Sequence, residues 1–234
     1  MSILIIGGSL SGLRAAERLR SEGWAGAITV VSAENHMPYN RPPLSKELLW
    51  GEDSPSDLEF ELSPLIADIQ WKMGVSATAL NINEKRVELS NGESLTYEGL
   101  VIATGVKSRR LNAPGPQDGR VILRTLDDAI MLKDKFSSGL KLVILGAGFI
   151  GCEVASTARK LGCDVDVVAM DEVAMQVPLG KMVGAEIQRR HEAEGVRFHM
   201  GVSIAELQGE GKVQEVVLTD GRKLQADLVL ETIG

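Results

Sequence analysis

The chain has 234 residues, 44% of them hydrophobic, enough to fill one large core or two medium ones, and a formal charge of −7. Charges are spread without long acidic or basic blocks, which argues against a nucleic-acid partner or a polybasic membrane anchor. No apolar run approaches the roughly 18–20 residues of a membrane span. Two cysteines and three scattered histidines form no metal-ligand set, so no metal is expected.

The first element is an apolar strand that begins at once after Met1, leaving no room for a signal peptide and making the cytoplasm the expected location. It runs into a glycine turn and a helix, "SILIIGGSLSGLRAAERLRSEG" (2–23), with Ser9 where the middle glycine of a Gly-x-Gly-x-x-Gly turn would stand. A second strand, "AITVVSAE", ends at Glu34, the position from which an acid meets a ribose hydroxyl. Next comes "NHMPYNRPPLSKELLWG", where Ser45 is expected to cap a short helix carrying Lys46 to Leu49. The adjacent prolines Pro42 and Pro43 stiffen a segment that carries Tyr39, Arg41 and Lys46, which either holds cationic groups against a ligand or is an ordinary solvated loop.

Residues 70–103 read as β structure with a hairpin turn at Asn91-Gly92, ending in the strand "LVIATG". Pro114, Gly115, Pro116 and Gly119 mark a linker, which sets expected domains of 1–114 and 115–234. Then follow "VILRTLDDAIMLKDKF" and "KLVILGAGFIGCEVASTARKLG" (141–162), with Cys152 and Cys163 expected as reduced, mostly buried thiols. The strand "DVDVVA" follows, then a helix over about 181–194, strands near 196–200 and 213–218 with a hairpin at Asp220-Gly221, and finally "ADLVLETIG".

The stretch 141–162 restates 2–23. Gly146 answers Gly7 and Gly151 answers Gly12, both at an offset of 139, with Gly148 opposite Ser9. The first glycine makes the tight turn, the second lets a pyrophosphate approach, and the third lets helix and strand pack closely. Serine adds only a hydroxymethyl group at the second position, so both turns read as dinucleotide turns. In the second copy Ala169 stands where the acid would be, and Asp171 is the candidate ribose partner, with a plain surface carboxylate as the alternative. No Lys or Arg follows before Lys181, which favours NAD over NADP. The predicted fold class is α/β: two Rossmann-like dinucleotide-binding units of three-layer ββα character with antiparallel β inserts.

Taken in order and spacing, "PYNRPPLSK", "ATG", "LRTLDDA" and "GAGFIGCE" resemble the two-dinucleotide-binding flavoprotein reductases. Within them the resemblance is to ferredoxin reductases of the putidaredoxin and rhodocoxin reductase type, which serve cytochrome P450 and ring-hydroxylating oxygenase systems. It implies a flavoprotein oxidoreductase with FAD in the first unit, NAD(H) in the second, and electrons passed from NADH through FAD to a [2Fe-2S] ferredoxin-type protein. By the resemblance, Gly7, Gly8, Ser9, Leu10, Ser11 and Gly12 hold the FAD pyrophosphate and Glu34 the ribose. Arg41, Lys46, Ala77, Ala103, Thr104, Gly105 and Arg124 complete the FAD contacts. Gly146, Gly148, Phe149, Ile150 and Gly151 take the NAD pyrophosphate, with Asp171 and Gly234 beside it. Lys46 and Glu153 form the implied catalytic pair, read as a buried ion pair.

Relatives that reduce disulfides need a cysteine pair near the flavin, or a Cys-x-x-Cys in the second unit, and peroxide-reducing ones a cysteine near Ser45; none is present. In the family the chain continues past the position of Gly234 into a last FAD-binding strand and an interface domain. The resemblance therefore leaves a second expectation open: a truncated, non-catalytic nucleotide-binding fragment or sensor. Oligomeric state is not read from the sequence.

Overall fold

The structure of the protein, a computed structural model, describes residues 1–233. Two compact units account for the chain: Met1–Arg41 with Pro55–Val106, and Pro42–Ser54 with Lys107 onward. The division falls after Val106, ahead of the proline- and glycine-rich stretch that marks a linker in the sequence. The reason is local: Leu111 and Ala113 are hydrogen-bonded to Arg120 and Glu231 of the second unit.

In the first unit, β1 (Ser2–Ile6), α1 (Leu10–Ser21), β2 (Ala27–Val31) and β3 (Gln70–Lys72) are followed by an antiparallel sheet. That sheet comprises β4 (Ala77–Asn81), β5 (Arg86–Leu89) and β6 (Ser94–Thr96), with the Asn91-Gly92 turn between β5 and β6. β7 (Gly99–Ile102) then returns to complete a parallel sheet in the order β3-β2-β1-β7. Strand alternation sorts the core into layers. Ile5 and Val30 pack with Leu13 and Ala16 of α1, whereas Leu4, Ile6 and Val31 pack with Val87 and Leu89 of the insert. A helix, a parallel sheet and an antiparallel sheet thus stack as three layers.

The second unit repeats this plan around α2 (Glu47–Trp50), β8 (Arg120–Ile122), α3 (Leu126–Lys135), β9 (Lys141–Leu145), α4 (Phe149–Lys160) and β10 (Asp164–Ala169). It continues through α5 (Gln176–Ala193), β11 (Arg197–Met200), β12 (Ile204–Gln208), β13 (Glu215–Leu218), β14 (Lys223–Gln225) and β15 (Leu228–Glu231). The parallel sheet runs β11-β10-β9-β15-β8, and β12-β13-β14 form the antiparallel insert. Val143, Leu145, Val168 and Val229 share a core with Ile204, Leu207, Val216 and Leu218 of that insert.

Two local expectations change. The helix expected near 181–194 begins at Gln176, because a turn closed by Leu179 N–H on the Met175 carbonyl precedes a break at Gly180 (φ 78°). Pro178 and Gly180 interrupt the helical pattern there, so the sequence reads as loop. Ser45 does not cap α2. The capping position is Lys46, without a side-chain bond, and the Ser45 hydroxyl donates to Glu153 instead. Cys152 and Cys163 are free and buried. Among the described residues, no helix is long and apolar enough to cross a membrane, and no group of three or more His, Cys, Asp or Glu could hold a metal.

Candidate functional site

Both glycine turns have the same build. Gly7 and Gly146 take φ +116° and +114°, and their N–H groups donate to the carbonyls of Val31 and Val168 at 2.8 Å. A Cβ on Gly12 would stand 1.9 Å from the Gly7 carbonyl oxygen, and one on Gly151 2.0 Å from that of Gly146. These positions are closed to any side chain by the approach of helix to strand. The middle position differs. Gly148 has an ordinary extended backbone (φ −82°, ψ −166°), and a Cβ there would meet nothing within 4 Å. Ser9 holds nearly the same angles (φ −97°, ψ −167°). The backbone does not require glycine at the middle position, so Ser9 leaves the first turn intact, and the space beside Gly148 is open.

Backbone hydrogen bonds extend the correspondence past the turns. Glu34 O accepts from Gly74 N–H and Ser32 O from Val75 N–H; likewise Asp171 O accepts from Gly201 N–H and Ala169 O from Val202 N–H. Ala169 therefore answers Ser32, and Asp171 answers Glu34. This corrects the expectation that Ala169 occupies the acid's place: the copies differ by two residues between helix and second strand, so the offset of 139 falls to 137 at β2 and β10. The third strands match as well. Ala103 N–H donates to Ile6 O at 2.7 Å and Thr232 N–H to Leu145 O at 2.8 Å, each strand end closing on its turn's first glycine. Gly234, named from the sequence beside this turn, lies outside the described residues.

In the first unit, Gly7, Gly8, Ser9, Glu34, Arg41, Ala77, Ala103 and Thr104 line one cleft of about 280 Å³. Leu10 and Ser11 are exposed on the first turn of α1 just beyond it, and exposed Gly105 follows Thr104. Arg41 organises the polar side. Its guanidinium pairs with Glu34, donates to the Tyr39 hydroxyl at 2.9 Å, and lies 3.4 Å from Ser9 Oγ. The Tyr39 hydroxyl also donates to Glu34. Sequence reasoning named Tyr39 only as part of a rigid segment, and missed it as the second donor that orients Glu34.

In the second unit, Phe149 and Ile150 are 53% and 40% exposed on the first turn of α4, so the helix N-terminus is open to a ligand. One turn on, Glu153 receives the Lys46 ammonium at 3.1 Å and the Ser45 hydroxyl, while Thr157 Oγ1 donates to the Ser45 carbonyl at 3.0 Å. Residues 45 and 46 are thus braced on one face of α4. The expected pair forms, but its side chains are 37% and 30% exposed rather than buried. Such a pair contributes about 0–1 kcal/mol. Beside it is a cavity of about 340 Å³ whose lining includes Trp50, Met175 and His191. Burial pushes the Cys152 thiol up to about 11, with the Glu153 charge adding to the shift. Arg124 precedes α3, where Asp128 accepts from the N–H groups of Arg124 and Thr125 at 2.9 and 2.8 Å. Asp128 fixes the backbone that carries Arg124, a part of "LRTLDDA" the sequence reading left unexplained.

A family profile described as pyridine nucleotide-disulphide oxidoreductase matches residues 1–234. The ferredoxin--NAD(+) reductase subunit of the benzene 1,2-dioxygenase system of Pseudomonas putida is 37% identical over 242 residues, covering 99% of this chain and 57% of that protein. Rhodocoxin reductase of Rhodococcus erythropolis is 35% identical over 238 residues, covering 100% of this chain and 56% of that one. Among solved structures, the covalent putidaredoxin reductase–putidaredoxin complex aligns with a TM-score of 0.93 and 32% identity, over 100% of this chain and 58% of its counterpart. The chain spans less than three fifths of the length of these relatives.

Proposed function

The chain belongs to the pyridine nucleotide-disulphide oxidoreductase family, and from that we propose that it holds FAD in its first unit and NAD(H) in its second, in a reductase that passes electrons from NADH to a [2Fe-2S] ferredoxin-type carrier. That carrier serves a ring-hydroxylating oxygenase or a P450. The observation that carries this reading is the duplicated turn: two helix N-termini with the same closed glycines, the same extended backbone at the middle position and an acid at the same place just past the second strand. When bound, FAD supplies the step that accepts a hydride from NADH and releases its electrons singly.

The roles of the chain's own residues follow from chemistry. Ser9 and the N–H groups of the first turn of α1 meet the FAD pyrophosphate, and Glu34, held by Arg41 and Tyr39, accepts from the adenosine ribose. Ala77 and Ala103 to Gly105 give small-residue contacts, and Arg124 a cation on a fixed backbone. The turn from Gly146 to Gly151 takes the NAD pyrophosphate. Asp171 accepts from the NAD ribose and repels a 2′-phosphate, which sets the preference for NADH. Lys46 places a cation where negative charge accumulates on reduction, and Glu153 balances it and orients the nicotinamide. The two free thiols suit a cytoplasmic setting, where we place the protein.

The test is the rate at which NADH bleaches the FAD-loaded chain in Lys46→Met and Glu153→Ala. Because the pair is half-exposed, both variants should stay folded while the rate falls by about 10²-fold. Unchanged rates in both would remove the pair from the chemistry.

A further inference from the structure

Arginines in this chain are almost all engaged. Those on the helices pair with neighbouring carboxylates or carbonyls, Arg41 with Glu34, Arg86 with Glu84, Arg197 with Asp166 and Arg222 with Asp220; Arg124 also has a partner. Arg120 is buried against Glu231. Among the described residues the exceptions are Arg109 and Arg110, which adjoin each other and follow Lys107, itself without an ion pair, by two and three residues. All three are exposed. Two other basic groups, Arg159 with Lys160 and Arg190 with His191, sit in the last turns of α4 and α5, where they complement the helix dipole. Lys107–Arg110 lies in no helix and offsets no local acid.

The segment is also anchored. Directly after it, Leu111 N–H donates to Glu231 at 2.9 Å, and the Arg120 guanidinium donates to the carbonyls of Leu111 and Ala113 and to Glu231 at 2.6 Å. The Arg120 and Glu231 side chains are 3% and 1% exposed. A desolvated ion pair whose remaining donors hold the chain fixes where the strip emerges. Three cations in four residues, held at one end and unpaired, form an electropositive ribbon on a protein of net charge −7.

We propose that Lys107, Arg109 and Arg110 form a docking strip for the anionic face of the electron carrier. This rests on the reading that the carrier is a [2Fe-2S] protein. Two ferric ions, two sulfides and four thiolates sum to about −2, and reduction adds another negative charge, so the face nearest the cluster is anionic by its chemistry. A cationic strip speeds encounter with such a face and fixes its orientation.

The test measures binding of an oxidised [2Fe-2S] ferredoxin whose cluster has four cysteine ligands to the full chain at low and high salt. The triple variant Lys107→Gln/Arg109→Gln/Arg110→Gln is compared with a charge-matched control, Lys181→Gln/Arg189→Gln/Arg190→Gln. The strip variant should bind about tenfold more weakly at low salt, the difference should shrink at high salt, and the control should bind as the parent does. FAD and NADH affinities should be unchanged in both. Equal losses in both variants would reduce the effect to net charge and overturn the strip. Loss of FAD or NADH binding in the strip variant would make these cations cofactor contacts, and also overturn it. A parent that binds both nucleotides but not the ferredoxin would overturn the strip and leave the nucleotide sites standing. A parent that binds neither nucleotide would sink the functional reading itself.

Discussion

Gly12 and Gly148 are both glycines of a dinucleotide turn, yet they are there for different reasons. A methyl group at Gly12, or at Gly151, would drive into a carbonyl oxygen of its own turn at about half a normal contact distance. Gly12→Ala and Gly151→Ala should each cost at least about 2 kcal/mol, read as a lower urea midpoint. At Gly148 the space is open and the backbone ordinary, so Gly148→Ala should leave the midpoint unchanged and weaken NADH binding alone. Equal destabilisation by all three would refute this division of roles. The repeat made the turns legible in the sequence, because glycine spacing reports backbone constraints directly. The match of Asp171 to Glu34 was not legible, since a two-residue difference before the second strand shifts the numbering and only the strand-end hydrogen bonds restore it. Given that match, Asp171→Ala should raise the Kd for NADH about tenfold and narrow its advantage over NADPH; unaltered selectivity would demote Asp171 to a surface acid.

At the scale of elements, the outer strands of the second sheet are held by charge as well as by their ladder. Asp166 on β10 accepts two hydrogen bonds from Arg197 of β11, at 2.9 and 2.8 Å, and lies 2.8 Å from His199 Nε2. Burial alone would raise the Asp166 carboxyl, but the Arg197 and His199 contacts more than offset it and hold it below its ordinary value. A folded-state carboxyl below its unfolded value stabilises above the unfolded value and loses that contribution as pH falls through the folded one. The parent should therefore lose stability more steeply below about pH 4 than Asp166→Asn, which should be weaker by about 1–2 kcal/mol near neutrality. Parallel acid limbs in urea titrations of the two proteins would contradict this. None of it was readable from "DVDVVA", where Asp166 breaks an apolar run and its partners come from a strand 31 residues away. The capping box at the start of α3 was more nearly legible: Thr125 and Asp128 have the required spacing, and they bond reciprocally. What remained hidden was its purpose, to hold the backbone of Arg124.

For the whole molecule, the sequence displayed the duplication because each copy must solve the same problem, a strand and a helix brought close enough to leave one N-terminus bare. It did not display how the segment from Pro42 to Ser54 is shared out. That segment is contiguous with the first unit in sequence, yet its short helix packs on α3 and its preceding turn on α4, so it folds with the second. Lys46 reaches Glu153 for that reason, across 107 residues of chain. The braces from Ser45 to Glu153 and from Thr157 to the Ser45 carbonyl come with it, and no pattern of spacing could have announced them. The central claim is that each copy of the fold holds its own nucleotide and that the two act together. The most direct measurement is the visible spectrum of the chain after incubation with FAD and desalting, followed by anaerobic addition of NADH. Flavin bands that survive desalting and then bleach with NADH are the predicted result. A colourless protein, or a retained flavin that NADH does not bleach, would contradict it.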